Sequence, residues 1–232
     1  MTPSDDASAE AIVGWALQTY GTRLAVATSL GAEDMVVLHL VAAQVAQGLP
    51  RPRVFFLDTG RLHEETYALL EAAKARYQLP IDVFFPDAGL VEDLVRRQGV
   101  LGFRASVDAR KECCGVRKVL QLGRALDGMD AWVTGLRREQ AVTRVALSAV
   151  ETDPGHRGIA KISPLVAWSE ADVFAFAGAH AVPLNPLHAQ GFRSIGCAPC
   201  TRAVRPDEDV RAGRFYWEPP EQKECGLHPG RT

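Results

Sequence analysis

The sequence predicts an α/β fold: a mostly parallel sheet with helices on both faces and a loop-rich C-terminal extension. Three observations carry that reading. Strand-length apolar runs alternate with helix-length amphipathic segments through the first half of the chain, the pattern of strands joined by crossover helices. Two of the runs, 24–28 and 53–57, are almost continuously apolar, as strands covered on both faces are. Polar loops follow three predicted strands: Ser29-Leu30-Gly31, Asp58-Thr59-Gly60 and Gly135-Leu136-Arg137-Arg138. In such sheets ligands sit beyond the carboxyl ends of the strands, so three polar loops on one rim predict a nucleotide-type site.

Taken in order, residues 8–20 read as a helix, with Ile12, Val13, Ala16 and Leu17 apolar among polar positions. Strand 24–28 ends in Ser29-Leu30-Gly31 and passes into a helix over 33–47. Strand 53–57 breaks at Asp58-Thr59-Gly60 and leads to a helix over 63–77. A strand at 81–85, a helix near 89–98, a helix over 112–126 and a strand at 131–134 follow. From about residue 184, prolines at 186, 199, 206, 219, 220 and 229 punctuate a stretch of little periodicity. The expected organisation is one α/β domain over 1–217 and a mobile C-terminal tail over 218–232.

The 232 residues suffice for a domain that buries roughly 70–75% of its unfolded surface, so disulfide staples are not needed. Twenty-six basic against twenty-eight acidic residues leave a net charge of −2. No global basic field announces a nucleic acid or an anionic membrane, and neither is expected as a partner. No apolar run has the length of a membrane span. Residues 1–6 are acidic where a secretory signal would be basic. The expectation is a cytoplasmic chain, where a disulfide framework is disfavoured.

The five cysteines then need another explanation. Cys113-Cys114 form a tandem pair, Cys197-Ala198-Pro199-Cys200 a Cys-x-x-Cys pair, and Cys225 is left over. Two pairs suit Zn²⁺ or an iron–sulfur cluster. The tandem is unusual for zinc, whose paired ligands are normally two to four residues apart. Buried small hydrophobes at Cys113-Cys114 and a redox pair at Cys197 and Cys200 form the metal-free alternative. Arg117 and Lys118 stand four residues after Cys113 and Cys114, so on a helix each shares a face with one thiol and could offset an anionic cluster.

Seven phrases, in order over residues 23–228, resemble the assimilatory sulfonucleotide reductases, the adenylyl sulfate and phosphoadenylyl sulfate reductase family. They are Ser29-Leu30-Gly31-Ala32-Glu33-Asp34, Leu57-Asp58-Thr59-Gly60-Arg61-Leu62-His63, Lys111-Glu112-Cys113-Cys114, Gly135-Leu136-Arg137-Arg138-Glu139-Gln140, Asn185-Pro186-Leu187-His188, Ser194-Ile195-Gly196-Cys197-Ala198-Pro199-Cys200-Thr201 and Glu224-Cys225-Gly226-Leu227-His228. The resemblance implies an ATP-pyrophosphatase-like fold of the adenine nucleotide alpha hydrolase type. It places a phosphosulfate loop at Ser29 to Asp34, where Gly31 would let backbone N–H groups approach an anion at a helix N-terminus. The related pyrophosphatases carry a Ser-Gly-Gly-x-Asp-Ser type of loop, and this chain departs from it. Asp58 and Gly60 would lie on the nucleoside side, although Asp58 could equally be a turn residue.

By the same resemblance, Gly135 and Arg144 belong to an arginine-rich loop over the substrate, while Arg137 and Arg138 could be solvated. Arg211 and Arg214, at i and i+3, could share a helical face and grip the sulfate end. Cys113, Cys114, Cys197 and Cys200 would hold a [4Fe-4S] cluster, with Lys118 as its electrostatic partner. Cys225 would be the nucleophile and His228 its support. At an ordinary thiol pKa only about 3% would be thiolate at pH 7, so nearby cations such as Lys223, Arg211 and Arg214 would help. The implied reaction is thioredoxin-dependent reduction of adenylyl sulfate to sulfite and AMP through an enzyme S-sulfocysteine, with a glutaredoxin-like protein as the other donor type. The four-cysteine set favours adenylyl sulfate over phosphoadenylyl sulfate. A zinc-stabilised nucleotide-binding module and a tRNA-thiolation enzyme are the readings from other classes. A homo-oligomer is compatible with the sequence.

Overall fold

The computed structural model describes residues 2–140, 146–219, 222 and 223. Helix α1 (Ala9–Tyr20) starts at Ser8, whose Oγ accepts from Ala11 N–H at 3.2 Å, filling one of the open donors of a helix start. The chain then alternates as β1 (Leu24–Thr28), α2 (Ala32–Ala46), β2 (Arg53–Leu57), α3 (Glu64–Tyr77), β3 (Ile81–Phe84) and α4 (Ala88–Gln98). Next come α5 (Val107–Cys114), α6 (Leu120–Ala125) and β4 (Ala131–Val133), then β5 (Val150–Asp153), β6 (Ile159–Ile162) and α7 (Glu170–Ala179). The helix expected over 112–126 begins earlier, where Ser106 caps α5. It is also interrupted between α5 and α6 by a widened, i→i+5 turn over Gly115–Val119. Such insertions concentrate at functional sites, and this one directly follows Cys113-Cys114.

The sheet order is β3-β2-β1-β4-β6-β5. All neighbours are parallel except the β5–β6 hairpin, with Val26 opposite Val54 on one side and Val133 on the other. Successive strand residues point to opposite faces, and both faces are buried. Val26, Val54, Phe56, Val133 and Ile162 pack under α1, α2 and α7, while Ala25, Phe55 and Trp132 pack against Leu122 and Leu126. That double burial accounts for the unbroken apolar character of β1 and β2. The hairpin escapes recognition in the sequence because its residues, Val-Glu-Thr-Asp and Ile-Ala-Lys-Ile, are mostly half exposed at the sheet edge.

The crossover from β1 leads to β2 on one side, and the chain crosses back from β3 to β4 on the other. A crevice opens at that switch point beyond the carboxyl ends of β1 and β4. The segment after 184 contains no named strand among the described residues. It is tied down by Ala198 N to Arg61 O at 2.8 Å, by Phe215 N to Cys200 O at 3.0 Å, and by a bridge between Thr201 and Arg214. Among the described residues no helix is long and apolar enough to cross a membrane.

Asp153 joins the hairpin to the parallel sheet. Its Oδ2 accepts from Trp132 Nε1 at 2.9 Å and lies 2.9 Å from His156 Nδ1. Burial pushes the Asp153 carboxyl up, but His156 and Trp132 outweigh it and hold the group below its ordinary value. An acid depressed on folding adds stability above its unfolded pKa, near 3.9, and loses it as pH falls through the folded value. Asp153→Asn should therefore lower stability at neutral pH by about 1–3 kcal/mol. Thermal melts of both proteins should converge as pH is lowered below about 4; a gap independent of pH would refute the assignment.

Candidate functional site

The rim at the switch point is organised by one carboxylate. Asp34, in the first turn of α2, accepts from both the backbone N–H and the hydroxyl of Ser29 through Oδ2, each at 2.6 Å. Its Oδ1 accepts from Gly135 N–H at 3.1 Å, so the loops after β1 and β4 are clamped together. Burial pushes the Asp34 carboxyl up against the opposing Ser29 bonds. A β-carbon on Gly135 would stand 2.5 Å from Asp34 Oδ1 and 3.0 Å from Asp34 N, so the clamp requires glycine there.

Gly31, by contrast, has an ordinary extended φ of −67°, and a β-carbon there would make only normal contacts. The strained position in the loop is Leu30, at φ 60° with its side chain buried. The expected role of Gly31 therefore has no origin in loop geometry. What it leaves open is the start of α2, where no side chain caps the backbone donors.

Glu33 beside it accepts from Arg137 Nε and Nη2 at 3.0 and 2.8 Å and from Gln140 Nε2 at 2.8 Å. Arg138 pairs with Asp5 and donates to Leu147 O. Neither arginine is merely solvated: both brace the loop. Asp58 accepts from Gly60 N–H at 2.7 Å and from the Tyr67 hydroxyl at 2.8 Å, with the Tyr67 phenol pushed up to about 12, mainly by burial. Asp58 thus closes a turn, which Gly60 completes at φ 69°, and both residues lie outside the lining of the cleft. Arg144 lies outside the described residues.

The cleft has a volume of about 210 Å³ and is lined by Ser29, Gly31, Glu33, Gly135 and Gln140 on the sheet side. His188, Arg193, Ser194, Arg211 and Arg214 line it from the extension. His188 Nδ1 lies 2.9 Å from Phe192 O, and its Nε2 is buried without a partner; burial holds the imidazole below its ordinary value. Arg211 and Arg214 are spaced by a turn, with Arg214 N bonded to Arg211 O, rather than by the expected helix. Arg214 reaches the cleft across Gly196, where any β-carbon would sit 2.5 Å from the guanidinium carbon.

Behind this wall lies a second cavity, bordered by Cys113, Cys114, Cys197 and Cys200 together with Arg61, Arg110, Arg117, Lys118 and Arg214. All four thiols are free. Thr59 Oγ1 lies 3.2 Å from Cys197 Sγ. Arg117 donates to Thr59 O at 2.6 Å through Nη1, yet its Nε, like Arg214 Nε, is buried without a partner. Buried donors are normally satisfied. Four thiols around one cavity, with two unpartnered guanidinium N–H groups, therefore fit an anionic, thiolate-bound metal group. Among the described residues no group of three or more His, Cys, Asp or Glu is arranged to hold a metal ion. Lys118 and Arg214 line both cavities. Lys118 has no hydrogen-bond or ion-pair partner among the described residues. Cys225 and His228 lie outside them.

Sequence reasoning overlooked Asp34 and Glu33 as individual residues. The available signal was an acidic pair in the first turn of a helix just after a serine-bearing strand end.

Known proteins place this arrangement. The chain matches the Phosphoadenosine phosphosulfate reductase domain over residues 23–203. It is 54% identical over 202 residues to the Adenosine 5'-phosphosulfate reductase of Allochromatium vinosum, covering 87% of this chain and 77% of that protein. The crystal structure of phosphoadenylyl-sulfate reductase from Candida auris, a phosphate complex, aligns with a TM-score of 0.70 and 27% identity over 86% of this chain and 91% of that one. Yeast FAD synthetase shares the fold alone, with a TM-score of 0.57 and 16% identity over 90% of this chain and 72% of that one. The fold is thus ATP-pyrophosphatase-like, and with a matched domain spanning the loops after β1, β2 and β4 and both cysteine pairs, the chain belongs to the sulfonucleotide reductase family.

Proposed function

We propose that this chain reduces adenylyl sulfate to sulfite and AMP in sulfate assimilation, with Cys225 as nucleophile and a [4Fe-4S] cluster on Cys113, Cys114, Cys197 and Cys200. The observation that carries the reading is the shared wall: Lys118 and Arg214 border both the cleft at the switch point and the four-cysteine cavity. Relatives about half identical to this chain bear the name Adenosine 5'-phosphosulfate reductase, which supports this substrate over its 3′-phosphorylated form. Cytoplasmic placement accords with four free thiols.

The residues divide the work. The uncapped start of α2 and the Ser29–Asp34 loop receive the phosphate. Arg211 and Arg214 take the sulfate end, where planar guanidinium donors match its oxygens, and Arg144 belongs to the loop over the substrate. Residues 1–217 form the binding body, and the 218–232 segment delivers Cys225, with His228 in support. The Cys225 thiolate attacks the sulfur, the S–O bond to the phosphate breaks, and AMP leaves with the electron pair, giving an S-sulfocysteine. A thiolate of thioredoxin, or of a glutaredoxin-like donor, then attacks Cys225 Sγ and sulfite departs. The donor's second thiol releases Cys225 by exchange, so a dithiol supplies both electrons.

The four cysteines border a cavity instead of converging on one point. That suits a cluster better than a zinc ion, which draws each sulfur to about 2.3 Å. When bound there, the cluster supplies fixed negative charge and a cross-link between α5 and the extension, while Lys118 and Arg214 offset that charge toward the substrate.

Three results are expected. Gly135→Ala should weaken AMP binding at least tenfold, about 1.4 kcal/mol, because the clamp on Asp34 must open; calorimetric titration measures it. Single serine substitutions at Cys113, Cys114, Cys197 or Cys200 should lose iron and acid-labile sulfide, while Cys225→Ser keeps both. Zinc with no sulfide in anaerobically purified protein would refute the cluster. Substrate added without donor should release AMP in near-equal amount to enzyme and leave a sulfonate on Cys225, located by peptide mass mapping. An adduct on Cys200, or kcat/KM tenfold higher for the 3′-phosphorylated substrate, would reject the assignment.

A further inference from the structure

One buried ion pair has no part in the steps above. Arg110, on α5 one turn before Cys114, and Glu218, in the C-terminal segment, have side chains only 1% and 2% exposed. Arg110 Nε donates to Glu218 Oε1 at 2.9 Å and Nη2 to Oε2 at 2.7 Å. The same Nη2 donates to the carbonyl of Gln222 at 2.6 Å, and the guanidinium carbon lies 4.4 Å from the centre of the Phe215 ring. A second tether follows at once. Arg211 Nη2 donates to Lys223 O at 2.7 Å, and Lys223 Nζ returns a bond to Ala212 O at 3.1 Å.

Burying two charges costs solvation that their attraction only just offsets, and apolar residues would often stabilise as well. The arrangement is therefore better explained by the position it fixes. A chain advances at most about 3.6 Å per residue, so two residues beyond Lys223 can reach no more than roughly 7 Å from its Cα. Wherever Lys223 is held, the reach of Cys225 is set.

We propose that Arg110 and Glu218 are positioning residues that anchor the root of the C-terminal segment on the cysteine-bearing helix, and so fix the point from which Cys225 reaches the sulfur. The proposal rests on the reading of Cys225 as nucleophile. Arg110 lies outside the lining of the cleft. It acts through Glu218 and Gln222, on the segment leading to Lys223.

The test uses full-length, cluster-loaded protein carrying Glu218→Gln. Iron, sulfide and AMP affinity should stay within twofold of the parent. The single-turnover burst of AMP without donor should slow at least tenfold at saturating substrate. Labelling of Cys225 by a maleimide, mapped by peptide mass, should become at least fivefold faster. A burst at the parental rate, or a burst and AMP affinity that fall in parallel, overturns the proposal. If Glu218→Gln fails to fold or to load, the paired apolar change Arg110→Met with Glu218→Leu removes the grip on Gln222 without stranding a charge. It should show the same slow burst with AMP affinity kept, and a parental burst there is equally fatal. The underlying reading fails separately: it falls if the parent's own adduct maps away from Cys225, whatever the variants do.

Discussion

Everything at the site hangs on the Asp34 carboxylate. A parallel sheet supplies strand ends but does not by itself hold the loops beyond them in register. Here β1 and β4 are direct neighbours at the switch point, and Asp34 ties the loop of one to the loop of the other through Ser29 and Gly135. The carboxylate spends its acceptors on the protein, leaving the start of α2 to face a ligand. Glu33 adds a second brace by gripping Arg137 and Gln140. Two acidic residues thus stand beside a site meant for anions. Their charge is met before a substrate arrives, that of Asp34 by donors from both loops and that of Glu33 by donors from the opposite one.

The cations divide the same way. Arg137, Arg138, Arg193 and Arg202 each pair with a carboxylate and serve the scaffold. Lys118, Arg117 Nε and Arg214 Nε are left over, and all three residues border the cysteine cavity. With a net charge of only −2, the chain has no general field to attract an anion. What it has is local: a few uncommitted donors placed where a substrate and an anionic metal group would otherwise repel each other.

Much of this was legible in the sequence because burial on both faces writes itself plainly. Strands β1 and β2 match their apolar runs residue for residue. The loops that follow them were visible as abrupt polar breaks, and the cysteine arithmetic paired residues that do line one cavity. What stayed hidden is what depends on contacts distant in sequence. Asp34 and Gly135 are separated by 101 positions, and nothing local marks either as half of a clamp. The edge hairpin lacks a periodic signal because only part of it is buried. Asp58 is ambiguous in sequence, where it reads both as part of a nucleoside-side motif and as a turn residue; its hydrogen bonds close a turn and hold Tyr67. The widened turn after Cys114 has no sequence signature either, since Gly115 meets nothing that would demand a glycine.

That widened turn bears on why the two cysteines are adjacent. On a regular helix, neighbouring residues point about 100° apart and do not face a common centre. Cys113 and Cys114 nevertheless border one cavity, and they do so where α5 gives way to the i→i+5 turn. The same helix carries Arg110 toward Glu218 and, within the turn itself, Arg117 toward Thr59 and Lys118 to the wall of the cleft. A single interrupted helix therefore addresses the four-cysteine cavity, the wall of the cleft and the root of the C-terminal segment at once. Ligation at the tandem pair would hold the turn, and the turn sets where Lys118 meets the cleft. On the proposed reading, a cluster on these thiols would therefore bear on the substrate wall through the helix that carries them.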